Sequence, residues 1–226
     1  MSLRSDMLNL RERTGPGRTG LLVATIGAPA AVLSWVVDGA TRPGYDAWRH
    51  QVSHLALGER GWLGSAEIAL AGLAVLGGAA GLRCTPTAGP WVPRLLALTG
   101  AALLAAAVFP IDPGQGYPPG AEAVRSWHGT LHDAAGLAVF AGLTAAAAVA
   151  SRRRPKRTAW SRVSAAVAVV VPVSWLVGAV LTGLDFAGVW PAPPSGLCER
   201  IALATGLLWV AGGCGRALLR GPDQAA

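Results

Sequence analysis

The chain has 226 residues, 52% of them hydrophobic and only 14% charged, with a formal net charge of +7. Mean hydropathy is +0.44, and the charges sit in short clusters between long apolar runs, which argues against a soluble domain and for a polytopic membrane protein. The basic residues flank the apolar runs, so membrane topology accounts for them and nucleic acid is not an expected partner.

Six apolar runs approach the roughly 20 residues that a bilayer core requires. In chain order they are Gly20–Val37, Trp62–Leu82, Leu95–Ile111, His128–Ala150, Val163–Leu184 and Leu197–Cys214. The expected fold is therefore all-α, a polytopic bundle of about six transmembrane helices. Residues 1–19 form a cytoplasmic lead rather than a cleaved signal peptide, 20–215 the membrane domain, and 216–226 a cytoplasmic tail. Pro29 and Pro172 fall inside helices, where neighbouring helices can satisfy the freed carbonyls. The 30 glycines suit close helix approach. Three cysteines, Cys84, Cys198 and Cys214, have neither disulfide nor zinc spacing.

Of the Lys and Arg residues, 14 lie on the side of the N-terminus and five (Arg42, Arg49, Arg60, Arg125, Arg200) on the other. The positive-inside rule then places both termini in the cytoplasm of a cell-membrane protein. Nine acids and all four histidines gather on the opposite face, and topology alone does not require that. Within the outer loops, residues 47–57 have Trp48, Val52, Leu55 and Ala56 on one helical face and Arg49, His50, Ser53 and His54 on another. That pattern predicts a short amphipathic helix, lying on the outer surface or folded over the helix ends as a lid. Phe109-Pro110-Ile111-Asp112-Pro113 ends the third run with Asp112 at its mouth.

The most distinctive stretch is Trp127-His128-Gly129-Thr130-Leu131-His132-Asp133, with two imidazoles four residues apart on one helix face. Together with Gly44-Tyr45-Asp46-Ala47-Trp48-Arg49-His50-Gln51-Val52-Ser53, Tyr117-Pro118-Pro119-Gly120 and the Cys198-Glu199-Arg200 helix start, it resembles the domain-of-unknown-function 998 family over roughly residues 20–215. The resemblance implies an actinobacterial-type membrane bundle of about six helices and carries no established activity.

Three chemistries fit these residues. In the first, His128 and His132, with Asp112 and His50, ligate zinc, which activates water for hydrolysis of a lipid-like or isoprenoid substrate. In the second, no metal is needed: Glu67, about 7–8 Å along the second helix, acts as a buried general acid in a terpene cyclase. Asp112, Asp133 or Asp185 would assist it, and Trp35, Trp62, Trp127 and Trp175 would stabilise a carbocation. His50, Trp127, Asp185 and Arg200 are the candidate substrate contacts, with Arg200 pairing a carboxylate or holding an anionic headgroup. The third is a non-enzymatic binding or assembly protein. Membrane lipid is the expected partner throughout, with a hydrophobic small molecule as a candidate ligand.

Overall fold

A computed structural model describes residues 15–85, 88–152 and 158–220. Among them are six α-helices, each long and apolar enough to cross a membrane, and no strand. They are α1 Pro16–Thr41, α2 Gly61–Arg83, α3 Trp91–Val108, α4 Trp127–Ser151, α5 Ala159–Phe186 and α6 Ser195–Leu219. Helix is the form that satisfies every backbone group within its own segment, as lipid demands. The chain is thus a multi-pass membrane protein.

Each helix packs against the next, and α6 closes on α1, giving a ring. Alternation places the N-terminus of α1 and the C-terminus of α6 at one end, here the terminal end. The opposite end carries the long loops. Apolar side chains such as Ile26, Leu33, Val169 and Val180 are 60% or more exposed on the outside of the ring, where lipid takes the place of water. Trp48, Trp62, Trp91, Trp127 and Trp190 are exposed near the helix ends, the level at which indoles meet headgroups.

The runs read from sequence fall on these helices, with one displacement. The third apolar run is Leu95–Ile111, whereas α3 spans Trp91–Val108. Pro93 and Arg94 look like flanks, yet a proline in a first turn loses no intrahelical hydrogen bond. At the other end, Pro110 disfavours helical geometry at Phe109. Arg94 lies over the Trp91 ring at 5.4 Å, so both reach the interface from this short helix.

Glycine makes the α1–α2 contact possible. A methyl on Gly20 would collide with the Gly77 carbonyl, and one on Gly81 would sit 2.6 Å from Gly17 O. Without a hydrophobic drive between helices in lipid, such backbone approach supplies the packing energy.

The loop between α1 and α2 departs from the expected amphipathic helix. Residues 46–50 form a turn, and Val52–Ala56 form a single 3-10 turn whose five residues are all buried. The polar face is not turned to water. Its histidines are consumed by local backbone donors, and the segment plugs the mouth of the ring. The long arginine-bearing segments are another matter: Arg4, Arg11, Arg13, Arg153, Arg154, Lys156 and Arg157, with Asp6, Glu12 and Asp223, lie outside the described residues.

Candidate functional site

The loop end is held by three polar clusters. The first grows from α1. Asp38 stands on its last turn and Arg42 caps its C-terminus four residues on, and the guanidinium meets the carboxylate through Nε at 2.8 Å and Nη2 at 2.6 Å. Arg60, just before α2, binds the other Asp38 oxygen. Arg42 also donates to Leu57 O at 3.0 Å and Arg60 O at 2.7 Å. Asp38 and Arg42 are buried, so this trio pins the loop exit to α1.

The second cluster ties the loop to the start of α6. A helix N-terminus leaves backbone N–H groups without partners; here Gly196 N–H donates to Arg49 O (3.1 Å) and Leu197 N–H to Trp48 O (3.0 Å). The Arg200 guanidinium donates to Ala47 O and His50 O, both at 2.7 Å, and to the Tyr45 hydroxyl, which in turn donates a hydrogen bond to Gln51 O at 2.8 Å. Burial pushes the Tyr45 phenol above its ordinary value, against the opposing pull of Arg200. Glu199 accepts from Val52 N–H at 2.6 Å. Among the described residues the Arg200 fork is therefore occupied by loop carbonyls and a phenol, not by the carboxylate that was one of its two expected partners.

The third cluster joins the remaining loops. Asp185 at the end of α5 takes a two-pronged bond from Arg49, at 2.8 and 3.0 Å, and one from Gln115 Nε2 at 3.0 Å. Gln115 also reaches the Ser195 hydroxyl at 3.1 Å. Asp185 thus crosslinks two loops at the end of α5.

The two histidines of α4 serve helix ends. His132 Nδ1 lies 2.8 Å from Phe109 O and 3.1 Å from Ala106 O, so it donates to carbonyls that the end of α3 leaves free. His128 Nδ1 lies 3.3 Å from Pro110 O and 3.7 Å from Asp112. Asp112 accepts from Ser126 N–H (2.6 Å) and Ser126 Oγ (2.5 Å), while Ser126 caps Gly129 N–H at 3.0 Å. Burial would raise the Asp112 carboxyl, but the two Ser126 bonds and nearby His128 and Arg125 hold it below the usual carboxylate range.

The proposed zinc set is not assembled. Among the described residues no three His, Cys, Asp or Glu side chains come together in a way that could hold a metal ion. His50 sits in the loop plug, with Nδ1 accepting from Asp46 N–H at 2.9 Å and Nε2 facing Gln115 O at 3.2 Å. The aromatic pocket imagined for a carbocation is likewise dispersed. Trp62 and Trp127 are 72% and 71% exposed, and Trp175 stacks on Phe140 at 5.4 Å.

Beneath the plug lies a cavity of about 40 Å³, between the loop and α1, α2, α3, α4 and α6. Trp35, Ser53, His132 and Glu199 line it, amid apolar groups such as Ile68, Leu103 and Phe140. The buried Trp35 indole N–H has no partner among the described residues. Glu67 stands apart on α2, buried, with one carboxyl oxygen also unpartnered. At roughly 10–15 Å³ per water, the cavity has room for about three or four waters, far below the roughly 300–1,000 Å³ of a drug-sized site.

Arg42, Tyr45, Gln115 and Ser195 complete these clusters without being among the site residues the sequence singles out. The Asp38–Arg42 spacing was the one local signal available; the others act through contacts distant in sequence.

The buried imidazoles make the plug acid-sensitive. Burial, then His50, His132 and Arg200, lower the His54 pKa from 6.5 to about 3; His50 is lowered too, chiefly by burial. Each Nδ1 accepts a backbone N–H, at 3.0 Å from Gln51 for His54, so protonation there removes a bond. The unfolded chain takes up a proton below about 6.5, while folded His54 stays neutral to about 3. Stability contributed by the neutral ring is thus present above pH 6.5 and falls as pH drops, by on the order of 1.4 kcal/mol per pH unit. Thermal unfolding in detergent between pH 7 and 4.5 should show the decline. His54→Asn, whose amide oxygen can replace Nδ1, should flatten it; an unchanged slope would refute the assignment.

No curated protein and no solved structure matches the chain. A family profile described as "Protein of unknown function (DUF998)" matches residues 25–215. The chain belongs to the DUF998 family.

Proposed function

We propose that this is a non-enzymatic binding protein of the cell membrane, with both termini cytoplasmic and the His/Asp/Glu cluster acting as a structural lock on the loop end. One observation carries the reading. Asp112, Asp185, His50, His132 and Arg200 each have their main hydrogen-bonding groups engaged by this chain's own backbone or side chains. The bias of 14 basic residues to five supports the orientation.

A second reading rests on the cavity. Trp35 N–H, the Ser53 hydroxyl, His132 and the Glu199 carboxyl share it, and unused polar capacity in an apolar interior calls for a reason. Acid–base work by His132 and Glu199 on a bound water, or on one small polar group of a lipid, would supply one. Glu67 would remain a separate buried proton donor on that reading.

One experiment separates the two. Reconstituted protein is incubated with a membrane lipid extract, and new species are sought by mass spectrometry. The binding reading expects no protein-dependent product. A product that disappears in His132→Gln, with thermal stability unchanged, would overturn it in favour of acid–base chemistry.

A further inference from the structure

We propose that a second cavity, at the terminal end, binds one acyl chain of an anionic phospholipid, with Arg216 and Arg220 holding the phosphate. This names the ligand of the binding reading above and rests on it. The cavity measures about 240 Å³ and lies among the terminal ends of α2 to α6. Its floor is apolar, made by Leu82, Val92, Leu96 and Val210. At slightly less than the roughly 300 Å³ of a small drug site, it suits part of one chain and not a whole lipid.

One wall is built from aromatic rings and a cation. Trp209 Nε1 donates to the buried Ser164 hydroxyl at 3.0 Å, which fixes that indole. Trp160 stacks on it, with centroids 6.2 Å apart and planes 7° from parallel. Arg216 lies over Trp160 at 5.1 Å, which holds its guanidinium at the mouth. Arg220 lines the same cavity one turn further.

The charge around the mouth selects the occupant. All nine carboxylates among the described residues belong to the loop half of the molecule. Among those residues neither Arg216 nor Arg220 forms an ion pair. Arg83, Arg94, Arg152 and Arg162 share this end. Two guanidiniums with no carboxylate partner among the described residues, above an apolar slot at the depth where a helix leaves the bilayer, match a phosphate attached to a chain. Basic pockets between membrane helices recognise anionic headgroups in this way.

Native mass spectrometry of detergent-purified full-length protein tests the assignment, after mild delipidation and titration with phosphatidylglycerol or phosphatidylcholine of identical chains. Phosphatidylglycerol should bind at one per protein and outlast phosphatidylcholine. Replacing both arginines, Arg216→Gln with Arg220→Gln, should weaken it about 25-fold, at roughly fivefold per arginine near a membrane surface. Ala217→Phe should abolish binding with the charges intact, because the ring fills the slot. Excess glycerol phosphate should not displace the lipid, since it has no chain. Equal retention of the two lipids would overturn the ligand class while leaving the binding reading in place. Undiminished binding in Ala217→Phe, or displacement by glycerol phosphate, would remove the chain from the slot. Retention of neither lipid would sink this inference and the binding reading together. Should the arginine double variant fail to elute as folded protein, the two-lipid comparison and Ala217→Phe still decide.

Discussion

Replacing Asp38 by alanine is expected to cost about 3–5 kcal/mol of stability, the usual penalty for stranding one member of a buried ion pair. The Asp38 and Arg42 side chains are only 2% and 3% exposed. Without the carboxylate, the Arg42 guanidinium keeps the Leu57 and Arg60 carbonyls but has no countercharge. Asp38→Asn should be less damaging, although its amide turns a donor toward one of the two guanidiniums. Arg60 offers the contrast. Its side chain is 42% exposed, so Arg60→Gln should cost no more than about 1 kcal/mol. Adding Arg42→Met to Asp38→Ala should recover part of the loss, because the stranded charge is gone. Thermal or denaturant unfolding in detergent, arranged as a double-mutant cycle, reads these differences. Equal, sub-kilocalorie losses for Asp38→Ala and Arg60→Gln would show that the trio does not hold the loop.

The bundle was legible because lipid imposes a one-dimensional rule. A helix must be long and apolar, and Gly20–Val37 or Val163–Leu184 shows that without any knowledge of partners. Asp38 and Arg42 were within reach for a similar reason, being neighbours on one helix face. The rest of the cap was not. Arg200 contacts Ala47 and His50, about 150 positions earlier, and no periodicity encodes a side chain that binds backbone carbonyls. His128 and His132 show the opposite hazard. Their spacing does put both on one face of α4, but what they face is the C-terminal end of α3, whose carbonyls recruit His132 Nδ1. The 47–57 segment misled because an apolar stripe implies burial of one side only. Here the segment enters the mouth of the ring, so His54 and Ser53 are buried beside Leu55.

Arg200→Lys should loosen the plug while sparing the helices. The guanidinium spans the Ala47, His50 and Gly196 carbonyls and the Tyr45 hydroxyl at once. A lysine ammonium is a point charge on a flexible stem and cannot reproduce that fork. Losing two charge-assisted bonds, at about 1.5 kcal/mol each, raises the local opening constant roughly hundredfold. Amide hydrogen exchange across residues 45–57 should accelerate by that order, while α2 and α4 remain as protected as before, since local and global opening are separate events. Arg49→Lys, which weakens the bond of a partly exposed guanidinium to the Asp185 carboxylate, should move the same amides less. If exchange rises equally in α2 and α4, the cap is not an independent unit and its polar bonds belong to the global fold. If only the plug opens, the cavity behind it, with Trp35, His132 and Glu199, gains a path to the loop-end surface. Acid–base chemistry requires that path, whereas lipid binding at the terminal end does not. The Arg200→Lys protein is therefore the form in which a product from lipid, if the cavity makes one, should increase while phosphatidylglycerol retention stays constant.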